Sequence, residues 1–392
     1  MMNDQLLKSL VDAEKDWIVA LRRRLHRIPE NGFQEFKTQR VIMDTLEEIG
    51  IPYTTERTWV IGLIKGGQPG ETVALRADMD ALPLTEPEDC PFRSEHEGMM
   101  HACGHDAHVA MALGAAKVLY SLREHIHGQV KLLFQPAEET DGGAEPMVKA
   151  GAMEHPRVDR VYGIHVMPHL PVGVVETRSG TLNASTDTVK ITIRGKAGHG
   201  AYPDLGADAI ICAAQVITAL QTVVSRNVSP LQSAVLSIGV IEGGTAQNII
   251  CDEVRMRGTL RTANAELRAF MKERIASIAA NVAAGMGCEA EVNIIPGYAA
   301  LVNDDHEAAR VKRVAARLFG AEHVVDKPAP SMGGEDFSFF SDCAPGAFFH
   351  VGCVKPEWMP APPLHSRDFR IDENCLTVGA LMHVALVLDG TF

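Results

Sequence analysis

Three short apolar runs, each ending in acid or imidazole, constrain the fold of this chain more than any other feature. VALRADMDALP (73–83) and GQVKLLFQPAEE (128–139) run into carboxylates, and VDRVYGIHVMP (158–168) carries His165 near its end. Between the first two, residues 108–122 repeat apolar side chains at helical spacing. Strand, helix, strand with chemistry at the strand ends is the pattern of an α/β sheet, whose ligands gather at the carboxyl ends of its strands. Residues 1 to about 183 are therefore expected to form one α/β body.

From Asp187 the grammar changes. TVKITIRG, a helix from about Ala207 to Ser225, AVLSIGVIEGG, EVRMRGTLRT, a helix from about Ala265 to Met286 and EAEVNIIPGY follow in βαββαβ order. That order is the split unit of a ferredoxin-like domain. After Ala299 the chain returns to a helix (306–318) and strands such as GAFFHVG, which could complete the first body. The 392 residues also exceed the roughly 250 to 300 at which a single core stops growing. The expected architecture is an α/β catalytic domain from 1–183 and 299–392, with 184–298 inserted as a satellite.

Charge narrows the partners. With 37 basic against 50 acidic residues the net charge is −13, which disfavours phosphate backbones and anionic membranes, so no nucleic-acid or membrane partner is expected. The first 30 residues lack the apolar core of a signal peptide and read as one charged amphipathic helix ended near Pro29. The uncharged stretch from Ala209 to Ser225 falls short of the roughly 20 residues that span a bilayer and reads as a core helix. Eight cysteines stand singly, with no CxxC pair, which suits a reducing cytoplasm.

The stretch HACGHDAHVA concentrates His101, Cys103, His105, Asp106 and His108. A buried thiol, a histidine-rich turn and a structural zinc knuckle all compete with a catalytic metal site here. Cys103 and His105, two positions apart, can reach one centre, and thiolate with imidazole suits borderline-soft divalent ions. In QPAEET, Glu138 and Glu139 follow a strand and a proline; on extended backbone their side chains diverge, so one can bind metal while the other faces a water as base. His165, in YGIHV, follows a predicted buried strand, where an unpaired imidazole needs a hydrogen-bond partner or a metal. His365, in PPLHSRDF, lies in a Pro-rich loop. Cys103, His105, Glu139, His165 and His365 are too many donors for one tetrahedral ion but suit two ions with a shared bridge.

In order, ADMDALP, HACGHDAH, QPAEE, GIHV, GKAGHGAYPDLGADAI, GGTAQNII, GTLRT, GGEDFSFF and LHS closely resemble the hippurate hydrolase and indole-acetyl-amino-acid hydrolase family of di-metal amidohydrolases. That family is related to aminoacylases and to carboxypeptidases of the same metallopeptidase clan. The resemblance implies a di-metal exopeptidase-like catalytic domain and two divalent ions per subunit, zinc or manganese first, cobalt or nickel as alternatives. It implies Cys103, His105, Glu139, His165 and His365 as ligands, with the cysteine bridging. It implies Glu138 as general base toward a water activated by the ions, and His199 as polariser of the scissile carbonyl, often from the neighbouring subunit of a dimer. Asp80 is expected to orient His105, although Asp78 could do so or simply close a turn.

Asn248 and Arg261 are the candidates for holding the amino-acid part, since guanidinium grips a carboxylate bidentately; Arg261 fits a solvated strand end equally well. Glu335 in GGEDF either shapes the active-site wall or belongs to a structural turn. The expected reaction is hydrolysis of N-acyl amino acids to a carboxylic acid and a free amino acid, in a homodimer or larger homo-oligomer. Dipeptidase or N-acetyldiaminopimelate deacetylase activity is the alternative. A thiol hydrolase using Cys103, or a noncatalytic metal sensor, would leave several of these motifs without a role.

Overall fold

The computed structural model describes residues 3–389. Its contacts divide the chain into two compact units: Met1–Gly180, Val302–Pro328 and Asp336–Phe392 form one, Thr181–Leu301 with Ala329–Glu335 the other. Each has its own apolar core.

The first unit is built on an eight-stranded sheet in the order Tyr53–Glu56, Trp59–Lys65, His127–Gln135, Gln68–Asp78, Arg160–Pro171, Gly346–Val354, Val175–Thr177, Val324–Asp326. Its four middle strands run parallel, so the carboxyl ends of the Asp78, Gln135 and His165 strands lie on one side. Central parallel strands are covered on both faces. Gly346–Val354 (GAFFHVGCV) is accordingly buried at every position. The helices His105–Ser121 and Cys375–Leu388 are apolar nearly all round and sit inside the core, as that composition requires.

Three local features depart from expectation. The amino-terminal segment forms two helices, Asp4–Ala13 and Lys15–His26, rather than one. The break at Glu14 carries no glycine or proline, and Leu7, Val11, Ile18 and Leu25 keep one buried face across it, so periodicity does not register it. The central helix begins at His105 rather than His108, because its first turn is polar and invisible to apolar spacing. Gly104 sets that start: its φ is +85°, and a Cβ there would lie 2.4 Å from Val166 Cγ2, so both backbone and packing demand glycine. Glu138 and Glu139 stand in a turn rather than on extended backbone, since Ala137 takes φ +56° and its carbonyl accepts from Gly142 N–H at 2.9 Å.

The second unit is a four-stranded antiparallel sheet in the order Ala234–Gly243, Glu253–Thr262, Ser185–Arg194, Glu289–Pro296. Its helices Ala209–Asn227 and Ala265–Gly285 share the core with Val189, Ile191 and Ile193, which alternate with exposed or half-buried residues along their strand. By length and composition alone Ala209–Asn227 could cross a membrane. It is a core helix on one face only: Cys212, Val216, Leu220 and Val223 pack inward, while Ile210, Ile211 and the polar Gln221 and Ser225 are exposed.

Candidate metal centre

Hydrogen-bond partners fix which nitrogen of each key histidine faces the site. His105 Nδ1 lies 3.0 Å from the Asp80 carbonyl and 3.1 Å from Asp80 Oδ1. Both are acceptors, so Nδ1 carries the proton and Nε2 is turned inward. Among the described residues that buried Nε2 has no hydrogen-bond partner; Asp78 Oδ2 lies 3.6 Å away and Glu139 Oε1 3.9 Å. His165 Nδ1 donates to the Val166 carbonyl at 2.7 Å, which presents its Nε2 to Cys103 Sγ at 3.3 Å.

Two trios of donors share one atom. Cys103, His105 and His165 bring their ligand atoms within 4.8 Å of one another, and so do Cys103, Glu139 and His365. Glu138 joins His105 and Glu139 at the same spacing. Chain segments more than 260 positions apart thus meet at Cys103 Sγ. The late loop is tied down beside it, since His365 N–H donates to the Ala102 carbonyl at 2.9 Å and its ring Nε2 lies 3.0 Å from Glu139 Oε1.

The electrostatics suit cations. Burial opposes charge on His105, yet Asp78, Asp80 and Glu139 carry its pKa up to about 10. Surroundings that would hold a proton on an orphaned nitrogen would equally hold a divalent ion. Burial, then Glu139 and Glu138, push the Cys103 thiol well above its ordinary range, so a thiolate here needs a positive ion beside it. Burial and neighbouring His108 keep His165 neutral, with its pKa held well down. One soft thiolate, three imidazoles and a carboxylate are a chemically sound donor set for two borderline ions.

Asp80 holds more than His105. Its second oxygen, Oδ2, accepts from Glu139 N–H at 3.0 Å, so one carboxylate ties the histidine to the turn that carries the glutamates. In Asp80→Asn the side chain keeps one acceptor oxygen and cannot serve both His105 and Glu139 N–H, although His105 retains the main-chain carbonyl. A loss of about 10- to 100-fold in metal affinity is expected, read by competitive titration against a chelating dye.

Several residues around the centre escape sequence reasoning. Arg76 is buried and grips Asp78 Oδ2 (2.6 Å), Gln135 Oε1 (2.7 Å) and Asp336 Oδ1 (3.0 Å). An arginine inside the apolar run VALRAD was the available signal, because a buried charge has to be paired. Asp106 leaves the site altogether: its Oδ2 meets Arg22 at 2.7 Å and His26 at 2.8 Å. Adjacent helical residues point about 100° apart, which explains the divergence from His105. His26 is clamped between Asp106 and Glu86; against burial and Arg22, Asp106 and a hydrogen bond with Cys90 raise its pKa to about 10. His101 is buried, with neither ring nitrogen hydrogen-bonded among the described residues.

Glu35 supports the glutamate turn by accepting from Ala137 N–H at 2.9 Å. Burial lifts its pKa from 4.5 to about 7. A carboxyl raised on folding leaves stability untouched below its ordinary pKa and costs stability as pH climbs past it, reaching about 3 kcal/mol above the folded value. Glu35→Gln keeps an acceptor for Ala137. The variant is expected to exceed the parent in stability at pH 8 and to match it near pH 4.5, as read by urea unfolding at both.

The other expected residues lie in the second unit. His199 and Asn248 meet on a two-stranded ribbon, where Ile249 pairs with His199 and Gly200 N–H donates to the Asn248 carbonyl at 2.8 Å. His199 Nδ1 accepts from Ala201 N–H at 3.0 Å, so in the neutral ring Nε2 carries the proton. Arg261 is half-buried and bonds along its own strand to Thr259 Oγ1 and the Leu260 carbonyl. Glu335 closes the Ala329–Glu335 segment of that unit.

Residues 74–389 match the family described as Peptidase family M20/M25/M40. The chain belongs to this family. Thermostable carboxypeptidase 2 of Saccharolobus solfataricus is 39% identical over 97% of both chains. N-acetyldiaminopimelate deacetylase of Halalkalibacterium halodurans is 40% identical over 86% of this chain and 90% of its own. A crystal structure of a dinuclear metal-binding peptidase from the M20 family of Bacillus subtilis superposes with a TM-score of 0.84 at 35% identity, covering 96% of this chain and 98% of that one. The α/β fold and the assignment as a metal-dependent hydrolase of the M20 family stand on these matches.

Proposed function

We propose that this M20-family hydrolase cleaves the amide bond of N-acyl amino acids, in the manner of hippurate and N-acetyl-amino-acid hydrolases. The carrying observation is the sharing of Cys103 by two donor trios with Glu138 beside them. Cys103, His105 and His165 would hold one divalent ion, and Cys103, Glu139 and His365 the other. When bound, such ions supply Lewis acidity, lowering the pKa of water and drawing charge from a carbonyl oxygen. Zinc and manganese fit the mixed N, O, S donors, as do cobalt and nickel.

The chain supplies proton transfer and orientation. Glu138, not needed in either trio, takes a proton from water and returns it to the leaving amine. Asp80 fixes the His105 tautomer. His199, with its proton on Nε2, is set to donate to the scissile carbonyl, and Asn248 and Arg261 serve the free carboxylate. The second unit acts as lid and dimerisation domain, a reading supported by exposed Val240 and Ile241 on its edge strand and by exposed Ile210 and Ile211. All eight cysteines are free, which fits a cytoplasmic enzyme. A thiol hydrolase fits poorly, because burial and the neighbouring carboxylates raise the Cys103 thiol instead of ionising it.

The carboxypeptidase among the relatives favours a second reading, cleavage of a dipeptide or of a carboxyl-terminal residue. One screen separates them: hippurate, N-acetyl amino acids, N-acetyldiaminopimelate and dipeptides, after chelator dialysis and with zinc or manganese restored. Metal-dependent release of amino acid from the N-acyl compounds is expected. Hydrolysis confined to dipeptides would select the second reading, and activity surviving full metal removal would end both.

A further inference from the structure

We propose that His108 is a positioning residue that aims His165 at Cys103, with its own tautomer set by Asp78; this rests on the reading of His165 as a metal ligand. His108 lies one turn after His105 on the same face of the central helix, fully buried. The ladder between the Asp78 and His165 strands ends at the pair Arg76 and Gly163, so Val166 sits past its last rung. Val166 N–H instead donates to His108 Nε2 at 2.9 Å. A backbone amide can only donate, so Nε2 is bare and the ring proton is on Nδ1. That Nδ1–H meets Asp78 Oδ1 at 2.5 Å. Asp78 cannot swing away, because its other oxygen is held by Arg76 at 2.6 Å, itself anchored on Gln135 and Asp336.

The Val166 residue is the pivot. Its N–H is fixed by His108, and its carbonyl accepts from His165 Nδ1 at 2.7 Å, which leaves His165 Nε2 facing Cys103 Sγ. The two rings touch at a right-angle-like tilt, 4.7 Å between centres and 65° between planes. Val166 lies within its strand and pairs with Val351 on the other side; without His108 its buried N–H loses the acceptor on this side, and the segment that aims His165 loses that tie. His108 thereby bolts the strand bearing one ligand to the helix bearing another.

Two measurements test this. In metal-free protein labelled with nitrogen-15 in histidine, the signals that vanish in His108→Gln should show a protonated Nδ1 and a bare Nε2; the opposite tautomer, or an imidazolium at pH 7.5, overturns the proposal. Zinc titration of the full chain should then give two ions per parent chain. In His108→Leu, which has no acceptor for Val166, one ion should bind about 10- to 100-fold more weakly with the other little changed. His108→Gln, whose amide can both accept from Val166 and donate to Asp78, should restore most of that affinity. Unchanged affinity for both ions in His108→Leu overturns the proposal, and so does a Gln variant no better than a folded Leu variant. If the leucine chain does not fold, the tautomer signals and the Gln titration decide, the latter against the proposal should it lose the weaker ion entirely. A parent chain that binds no zinc would sink the metal-site reading itself, while the tautomer result would still stand or fall alone.

Discussion

Glu138→Gln is expected to lower kcat by about 100- to 10,000-fold, the range a general base contributes, while metal content stays at the parent level. The substitution preserves shape and removes only the ability to take a proton. Glu138 is half-buried, next to His105 and Glu139, and neither donor trio built on Cys103 requires it. If it acts as base, substrate binding and fold should survive, so KM and circular dichroism should change little. Steady-state kinetics beside elemental analysis of the same sample checks this. Near-parental turnover would remove Glu138 from the mechanism, and loss of metal would make it a ligand.

Cys103→Ala is expected to strip both ions and abolish measurable turnover. Cys103 Sγ belongs to both trios, so on the proposed reading its removal would take one donor from each ion at once. Losing a group that merely supports a ligand already costs about 10- to 100-fold in affinity, and a shared ligand should exceed that at both positions. The thiol is buried and protonated when no cation is present, since burial and the two glutamates raise it. The metal-free variant should therefore melt close to the metal-free parent. A variant that keeps two ions yet loses all activity would point to a nucleophilic thiol. A variant that keeps both ions and activity would deny Cys103 any part.

Much of this was visible in the chain as letters. The apolar runs around Asp78, Gln135 and His165 announce buried parallel strands because such strands need no polar face, and the structure places them at the centre of one sheet. Spacing located the central helix but missed its first turn, which is polar and yet buried, so that hydrophobicity carried no trace of it. The two amino-terminal helices read as one for a related reason, since a break that preserves the buried face leaves the pattern intact.

The donor types around the centre could be listed from the sequence, and so could the order of their motifs. Their roles could not all be separated. Cys103, His105, Asp106 and His108 are neighbours in the chain, but helical rotation sends Asp106 to Arg22 and His26, while His108 goes to Asp78 and the Val166 amide. Arg76 and Asp336, 260 positions apart, become partners only when strand and loop are packed together. Local periodicity and residue chemistry determined the elements and the inventory of candidate ligands, because both are properties of short stretches. The sharing of Cys103, the tautomers of the histidines and the anchoring of Asp78 were decided by tertiary structure, because each depends on which donor meets which acceptor across distant segments.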